Sequence, residues 1–265
     1  MLSGRSAARK GKPRRYDVFM NPEEPPLTKR KIAFFGGSFD PPHLGHLAIA
    51  RALQQALALD TVLFAPVGTQ PLKPGGASAS FAERVAMTRL AIADEPRFAL
   101  SLVDAPGKSS RPNYSYDTLT KLAAELGSGA QIYCLIGADS LVHLRLWHRA
   151  AELPFLATFV IAARPGFALD NLAAYFPAEL ALDAPLVATE PNGIALLTGS
   201  VRNASDERAA FHLLPALDYE MSATTVRNLL LRGDLAACQQ LLPAAVLGFL
   251  RARKLYCAET PANSR

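Results

Sequence analysis

The chain has 265 residues, half of them hydrophobic and 19% charged, which excludes a wholly disordered or collagen-like polypeptide and leaves core enough for one large α/β domain or two small ones. No apolar run reaches the roughly 18–20 residues of a membrane helix, so no membrane partner is expected; the best candidate, Leu156–Ala163, is only strand length. The net charge of +5 sits in a tail, because residues 1–31 hold nine basic against three acidic side chains and the rest is near neutral, so the folded part is not expected to bind nucleic acid.

Residues 1–28 read as a basic, disordered leader ending in the Pro-rich joint Asn21–Pro26, without the apolar region of a secretory signal. Its Arg-rich, acid-poor opening has a faint likeness to an organelle transit peptide, and Met20 is an alternative start. From Lys31 the pattern changes. Short apolar runs expected as buried parallel strands recur at Ile32–Phe35, Val62–Val67, Phe98–Val103, Ile132–Ile136 and Thr158–Ala162. Helical periods lie between most of them, at Leu44–Leu57, Phe81–Ile92 and Tyr116–Leu126. Buried strands alternating with amphipathic helices predict an α/β fold built on a doubly wound parallel sheet. Such sheets hold ligands outside the carboxyl ends of their strands. The domain is expected over 29–258, with a loop-rich excursion at about 166–205, a last strand at Phe211–Leu214, closing helices at Ala223–Arg232 and Ala244–Arg253, and a flexible tail over 259–265.

Between the first strand and first helix runs Gly36-Gly37-Ser38-Phe39-Asp40-Pro41-Pro42-His43-Leu44-Gly45-His46. Two glycines let the backbone turn sharply against a ligand. A helix start aims unpaired N–H groups and positive dipole at an anion. His43 and His46, three apart, can face one side and donate to phosphoryl oxygens as charge builds on them. Neither a Walker loop nor GxGxxG is present. After the fourth strand, Gly137 permits close approach, Asp139 can accept from a sugar hydroxyl, and Trp147, the single tryptophan, can stack on a heterocycle. Near the C-terminus Ser222 is a natural N-cap, and Thr224 and Arg227 share a helix face from which the guanidinium can fork onto phosphate. Cys134, Cys238 and Cys257 form no CxxC or Cys/His spacing, so a reduced, cytoplasmic protein without a metal site is expected.

GGSFDPPHLGH is similar to the HxGH signature of the nucleotidylyltransferase superfamily, and in this form it resembles the nicotinate-nucleotide adenylyltransferase family, which makes the dinucleotide precursor of NAD. Ser222–Arg227 resembles that family's ISSTxxR motif, with Ala223 in place of the second serine. Ile136–Leu141 with Trp147 resembles IGADxL…W. Tyr114–Leu119 resembles SYTxxTL with Ser115 at the usual threonine, where a cap at the start of the third helix is a second reading of Ser115. Thr69–Pro74 resembles P-x-HK, with Leu72 replacing the histidine and Lys73 retained. Arg164-Pro165-Gly166 also fits.

The resemblance implies a Rossmann-like nucleotidylyltransferase fold with His46, His43 and Arg227 as catalytic residues. It implies an ATP site of Gly36, Gly37, Ser38, Phe39, His43, His46, Gly137, Asp139, Ser222, Thr224 and Arg227. Lys73, Tyr114, Ser115, Thr118 and Trp147 would hold the pyridine mononucleotide. The implied partners are ATP and nicotinate mononucleotide, with Mg²⁺ carried mainly by the ATP phosphates because no clustered carboxylates appear. The alternatives are another HxGH transferase, acting on nicotinamide mononucleotide, phosphopantetheine or a cytidylyl substrate, and a nucleic-acid-binding protein using the leader. Monomer and homodimer are not distinguished.

Overall fold

In a computed structural model the residues described are 29–72, 75–107, 111–164, 171–215 and 221–257. The leader at 1–28 with Met20, Lys73, Pro165, Gly166 and the tail at 259–265 lie outside the described residues.

The apolar run after Lys29 forms β1 (Arg30–Gly37). Its side chains alternate between two buried faces, Ala33 and Phe35 on one and Ile32 and Phe34 on the other, as expected of a strand covered on both sides. Around it lie β2 (Thr61–Pro66), β3 (Phe98–Leu100), β4 (Ala130–Gly137), β5 (Thr158–Ala162) and β8 (Arg208–Leu214). All five pair in parallel, in the order β3-β2-β1-β4-β5-β8. Helices α1 (Leu44–Leu57), α2 (Phe81–Ala91) and α3 (Ser115–Leu126) make the crossovers. The expected doubly wound sheet is therefore present. Strand order reverses between β1 and β4, so their carboxyl ends, Gly36–Gly37 and Gly137, flank the crevice where such sheets take ligands.

Residues 171–205 differ from the loop-rich excursion that their composition suggests. They contain a short helix α6 (Leu172–Tyr175) and two strands, β6 (Ala181–Thr189) and β7 (Leu196–Arg202). These strands continue the sheet past β8 in antiparallel sense to its β6 edge. Pro185, Asn192 and Gly193 hide the period, and a register shift between Asp183 and Val187 breaks it further. Gly199 allows the close approach that this pairing needs: a Cβ there would lie 2.5 Å from Leu186 and 2.6 Å from the Phe211 ring. Asn192 also ties the excursion to the crossover layer, exchanging hydrogen bonds with the backbone and side chain of Gln55 on α1.

Short helices α4 (Ala138–Leu141) and α5 (Leu153–Leu156) follow β4. Three helices close the chain rather than two: α7 (Ala223–Leu231), α8 (Leu235–Leu241) and α9 (Ala244–Arg253). The additional helix, α8, starts where Asp234 accepts from the Ala237 amide and buries Cys238. Among the described residues no helix is long and apolar enough to cross a membrane.

Candidate active site

At the carboxyl ends of β1 and β4 a cleft of about 880 Å³ opens. Helix α1 begins on its floor, with His43 as N-cap. The His43 backbone N–H donates to His46 Nδ1 at 3.1 Å. An accepting Nδ1 places the proton of neutral His46 on Nε2, which leaves that nitrogen as a donor. The two imidazoles lie 3.7 Å apart, tilted by 32°, and Phe39 and Phe35 press the His46 ring from behind at 5.1 and 5.8 Å. His43 Nδ1 is buried and has no hydrogen-bond partner among the described residues. Gly45 keeps that nitrogen clear, since a Cβ there would stand 3.1 Å from it.

Burial, reinforced by the Arg164 guanidinium, pushes His43 down to about 4. Burial first, then His43 and Arg164, hold His46 well below the ordinary imidazole range. Both rings are thus neutral at pH 7, and a polyphosphate entering the cleft would favour their protonated forms. Across the cleft, burial raises Asp104 to about 6, against the opposing hydrogen bonds of Thr118 and Asn113.

These shifts set a pH dependence of stability. A histidine depressed in the folded state contributes fully above its unfolded value near 6.5 and loses that contribution as pH falls. Between pH 7 and 5 His43 alone is expected to cost about 2 kcal/mol, and His46 acts in the same direction. Asp104 has the opposite sign, because its folded form binds the proton more readily, and it returns about 1 kcal/mol over that window. Urea midpoints at pH 7 and pH 5 check this. The fall should flatten in His43→Gln and steepen in Asp104→Asn.

Arg227 projects from α7 into the same cleft. The Ser222 hydroxyl caps that helix by accepting from the Thr225 amide at 3.0 Å. The guanidinium is held at two points, donating to the Asp40 carbonyl at 2.7 Å and to Thr224 Oγ1 at 3.1 Å. Such tethering fixes the orientation of the fork. Asp40 is a residue that reading the turn did not single out. Its carboxylate accepts from the amides of Ser78 at 2.6 Å and Ala79 at 3.0 Å and from the Tyr256 hydroxyl, so it clamps the turn to two other segments. Arg84, also missed, is buried and donates to the carbonyls of Ser38 at 2.7 Å and Val67 at 2.8 Å. It stitches the loops after β1 and β2 together.

The opposite wall comes from the loops after β2 and β3. Asn113 accepts from the Thr69 amide at 3.0 Å and donates to the carbonyls of Asp104 and Ala105, both at 3.1 Å. Tyr114 and Ser115 line the cleft, with the His148 ring 4.8 Å from that of Tyr114. Ser115 does not cap α3: Tyr114 holds the N-cap position, and among the described residues no side chain caps the first turn. Trp147, Gly137 and Asp139 line the cleft beside them, Asp139 paired to Arg164 at 2.8 Å. A Cβ on Gly137 would touch nothing within 4 Å, so the strand end there faces open space.

Of the expected site residues, those of the first turn, Gly137, Asp139, Tyr114, Ser115, Trp147, Ser222, Thr224 and Arg227 meet in this one cleft. Thr118 does not line it. Its hydroxyl is buried and donates to Asp104 at 2.8 Å, which makes it a support for the wall rather than a contact. Lys73 lies outside the described residues.

A model of cytidylyltransferase-like domains matches residues 34–229. A relative from Gloeobacter violaceus named "Probable nicotinate-nucleotide adenylyltransferase" is 37% identical over 88% of this chain and 98% of its own length. A relative of the same name from Laribacter hongkongensis is 38% identical over 89% and 99%. This chain belongs to the nicotinate-nucleotide adenylyltransferase family. A solved structure of the Plasmodium falciparum nicotinic acid mononucleotide adenylyltransferase complexed with NaAD covers 86% of this chain and 97% of its own at a TM-score of 0.62. At 16% identity that likeness establishes the fold. Against the adenylyltransferase family pattern, Leu72 stands 49% exposed among the lining residues, where it offers an apolar surface in place of a histidine. Ala223 opens α7, and the Thr225 hydroxyl beside it sits 2.9 Å from that of Ser222.

Proposed function

We propose that this protein transfers the adenylyl group of ATP to nicotinate mononucleotide, releasing pyrophosphate and forming nicotinate adenine dinucleotide. The observation that carries the reading is the pairing of two neutral imidazoles at the start of α1, His43 buried and His46 half-buried, with a tethered Arg227 in one cleft. Membership of the nicotinate-nucleotide adenylyltransferase family supports it.

In this reading the 5′-phosphate oxygen of the mononucleotide bonds to the α-phosphorus in line, and the bond from that phosphorus to the bridging oxygen of the β-phosphate breaks. The nucleophile is already ionised at neutral pH, so the protein needs no general base. The barrier lies in bringing two anions together and spreading the charge that builds on the α-phosphoryl oxygens. His46 Nε2–H and the first amides of α1 would meet that charge, and Arg227 would hold the departing phosphates. Ser38, with its hydroxyl directed to Gln70 at 3.1 Å, and Asp139 would line the adenylate side.

No group of three or more His, Cys, Asp or Glu able to hold a metal occurs among the described residues. The donor set therefore suits Mg²⁺ arriving on ATP as part of the substrate. The first turn of α3, beside Tyr114 and Ser115 and without a side-chain cap among the described residues, favours a carboxylate on the pyridine ring over an amide, because its N–H groups can donate directly to an anion.

Pyrophosphate release from MgATP, measured side by side with nicotinate mononucleotide, nicotinamide mononucleotide and phosphopantetheine, tests the reading. Nicotinate mononucleotide is expected to give the highest kcat/KM. Preference for the amide would overturn the assignment of the acid form, and turnover with phosphopantetheine alone would overturn the substrate class.

A further inference from the structure

Helix α9 ends at Arg253, and the backbone then turns back. Lys254 and Tyr256 both lie in the left-handed region, at φ 54° and 58°. That region is disfavoured for a non-glycine residue, and both persist in a turn whose Leu255 amide bonds to the Leu250 carbonyl at 3.0 Å. That turn packs Leu255 and Tyr256 against the core on the α1 face of the sheet. It also delivers the Tyr256 hydroxyl to Asp40 Oδ1 at 2.5 Å, across 216 residues of sequence. Tyr256 does not line the cleft.

We propose that Tyr256 is a positioning residue for the ATP phosphates, acting through Asp40 to set how firmly Arg227 is held. Asp40 Oδ2 accepts from the Ser78 amide and lies 3.8 Å from Arg227 Nη1, while Oδ1 accepts from the Ala79 amide and the phenol. The same Nη1 donates to the Asp40 backbone carbonyl. A hydroxyl donated to Oδ1 draws negative charge off the edge that faces the guanidinium. With the hydroxyl present, Arg227 rests on the carbonyl and on Thr224, and its charge stays available to a ligand. Without it, the carboxylate competes for the guanidinium and withdraws it from the phosphates. The strained turn after α9 is the structural expense of keeping that hydroxyl in place.

This inference rests on the assignment of Arg227 to ATP, so the test reads ATP binding directly and needs no second substrate. Calorimetric binding of a non-hydrolysable Mg-ATP analogue to Tyr256→Phe is expected to be weaker by about tenfold, in line with a hydrogen bond to a charged group. Nicotinate mononucleotide binding should change less than twofold by the same method. In an Arg227→Gln background Tyr256→Phe should cause no further loss of analogue affinity, since the two act on one contact. Replacing only Tyr256 by 3-fluorotyrosine, whose more acidic hydroxyl is the stronger donor, should tighten analogue binding; this arm stands if Tyr256→Phe does not fold. Unchanged analogue affinity with a lowered Tm would make Tyr256 a structural tie and overturn the proposal. Equal losses for both ligands, or full additivity with Arg227→Gln, would overturn it too. Failure of every pyridine nucleotide to turn over, with the Tyr256 effect on analogue binding intact, would instead count against the assigned reaction.

Discussion

His46→Ala is expected to lower kcat by about 10²–10³-fold, the effect of removing one preorganised donor to a developing oxyanion. His46 Nδ1 is occupied by the His43 amide, so the only proton on the neutral ring is on Nε2, and Phe39 and Phe35 fix the ring plane. A donor immobilised before the reaction needs no reorganisation as charge develops. The fold should survive, because among the described residues the one hydrogen bond lost is that from the His43 amide, worth about 1 kcal/mol. Pyrophosphate-release kinetics beside thermal melting separate the two effects. A variant with wild-type kcat would remove His46 from the chemistry.

Asp40→Ala is expected to produce the largest loss of stability, about 3–5 kcal/mol. Asp40 is 4% exposed, and its carboxylate satisfies the amides of Ser78 and Ala79 and the Tyr256 hydroxyl. Alanine leaves these donors in a buried site with no acceptor, at about 1–3 kcal/mol each where water cannot reach. Arg227 loses its carboxylate neighbour at the same time. For a chain of this size the change corresponds to about 10 °C in Tm. Asp40→Asn keeps one acceptor oxygen and should fall between alanine and wild type. A loss below about 1 kcal/mol for alanine would show that the three segments hold together without the carboxylate.

The parallel part of the sheet was legible because each strand is an apolar run buried on both faces, and each crossover helix carries its own period. The bounds of β5 coincide with the expected run Thr158–Ala162. β3 is shorter than its apolar run because its ladder with β2 closes at the Ser101 amide on the Phe64 carbonyl, and beyond it the Val103 amide bonds to the Ser101 hydroxyl instead of to a strand. The β6–β7 hairpin was not legible. It is half exposed and interrupted by Pro185 and Gly199, and its apolar residues join the core only through tertiary packing, Leu196 on one face and Val201 on the other. Helix α8, seven residues with one buried side chain, is too short to declare a period.

For the cleft, the residues adjacent in sequence were the readable ones. The first turn carries glycines, histidines and a helix start in eleven consecutive positions. Asp104, Asn113 and Arg84 reach the same place only through tertiary packing. Arg84 in particular looks like one more charged residue on α2, although its guanidinium is buried beneath the turn. Asp40 lay inside the motif, and the two prolines following it fix the turn so firmly that the carboxylate's separate work left no local mark. Ser115 was ambiguous because serine is a common cap; here the helix begins one residue earlier in register, and Tyr114 takes that place.

The most direct measurement is a crystal structure of the protein with a non-hydrolysable ATP analogue and Mg²⁺. An α-phosphoryl oxygen is expected within hydrogen-bond reach of His46 Nε2, with the outer phosphates on Arg227. A triphosphate bound elsewhere, such as the smaller groove bordered by Phe155 and Glu207, with the His43–His46 turn left empty, would contradict it.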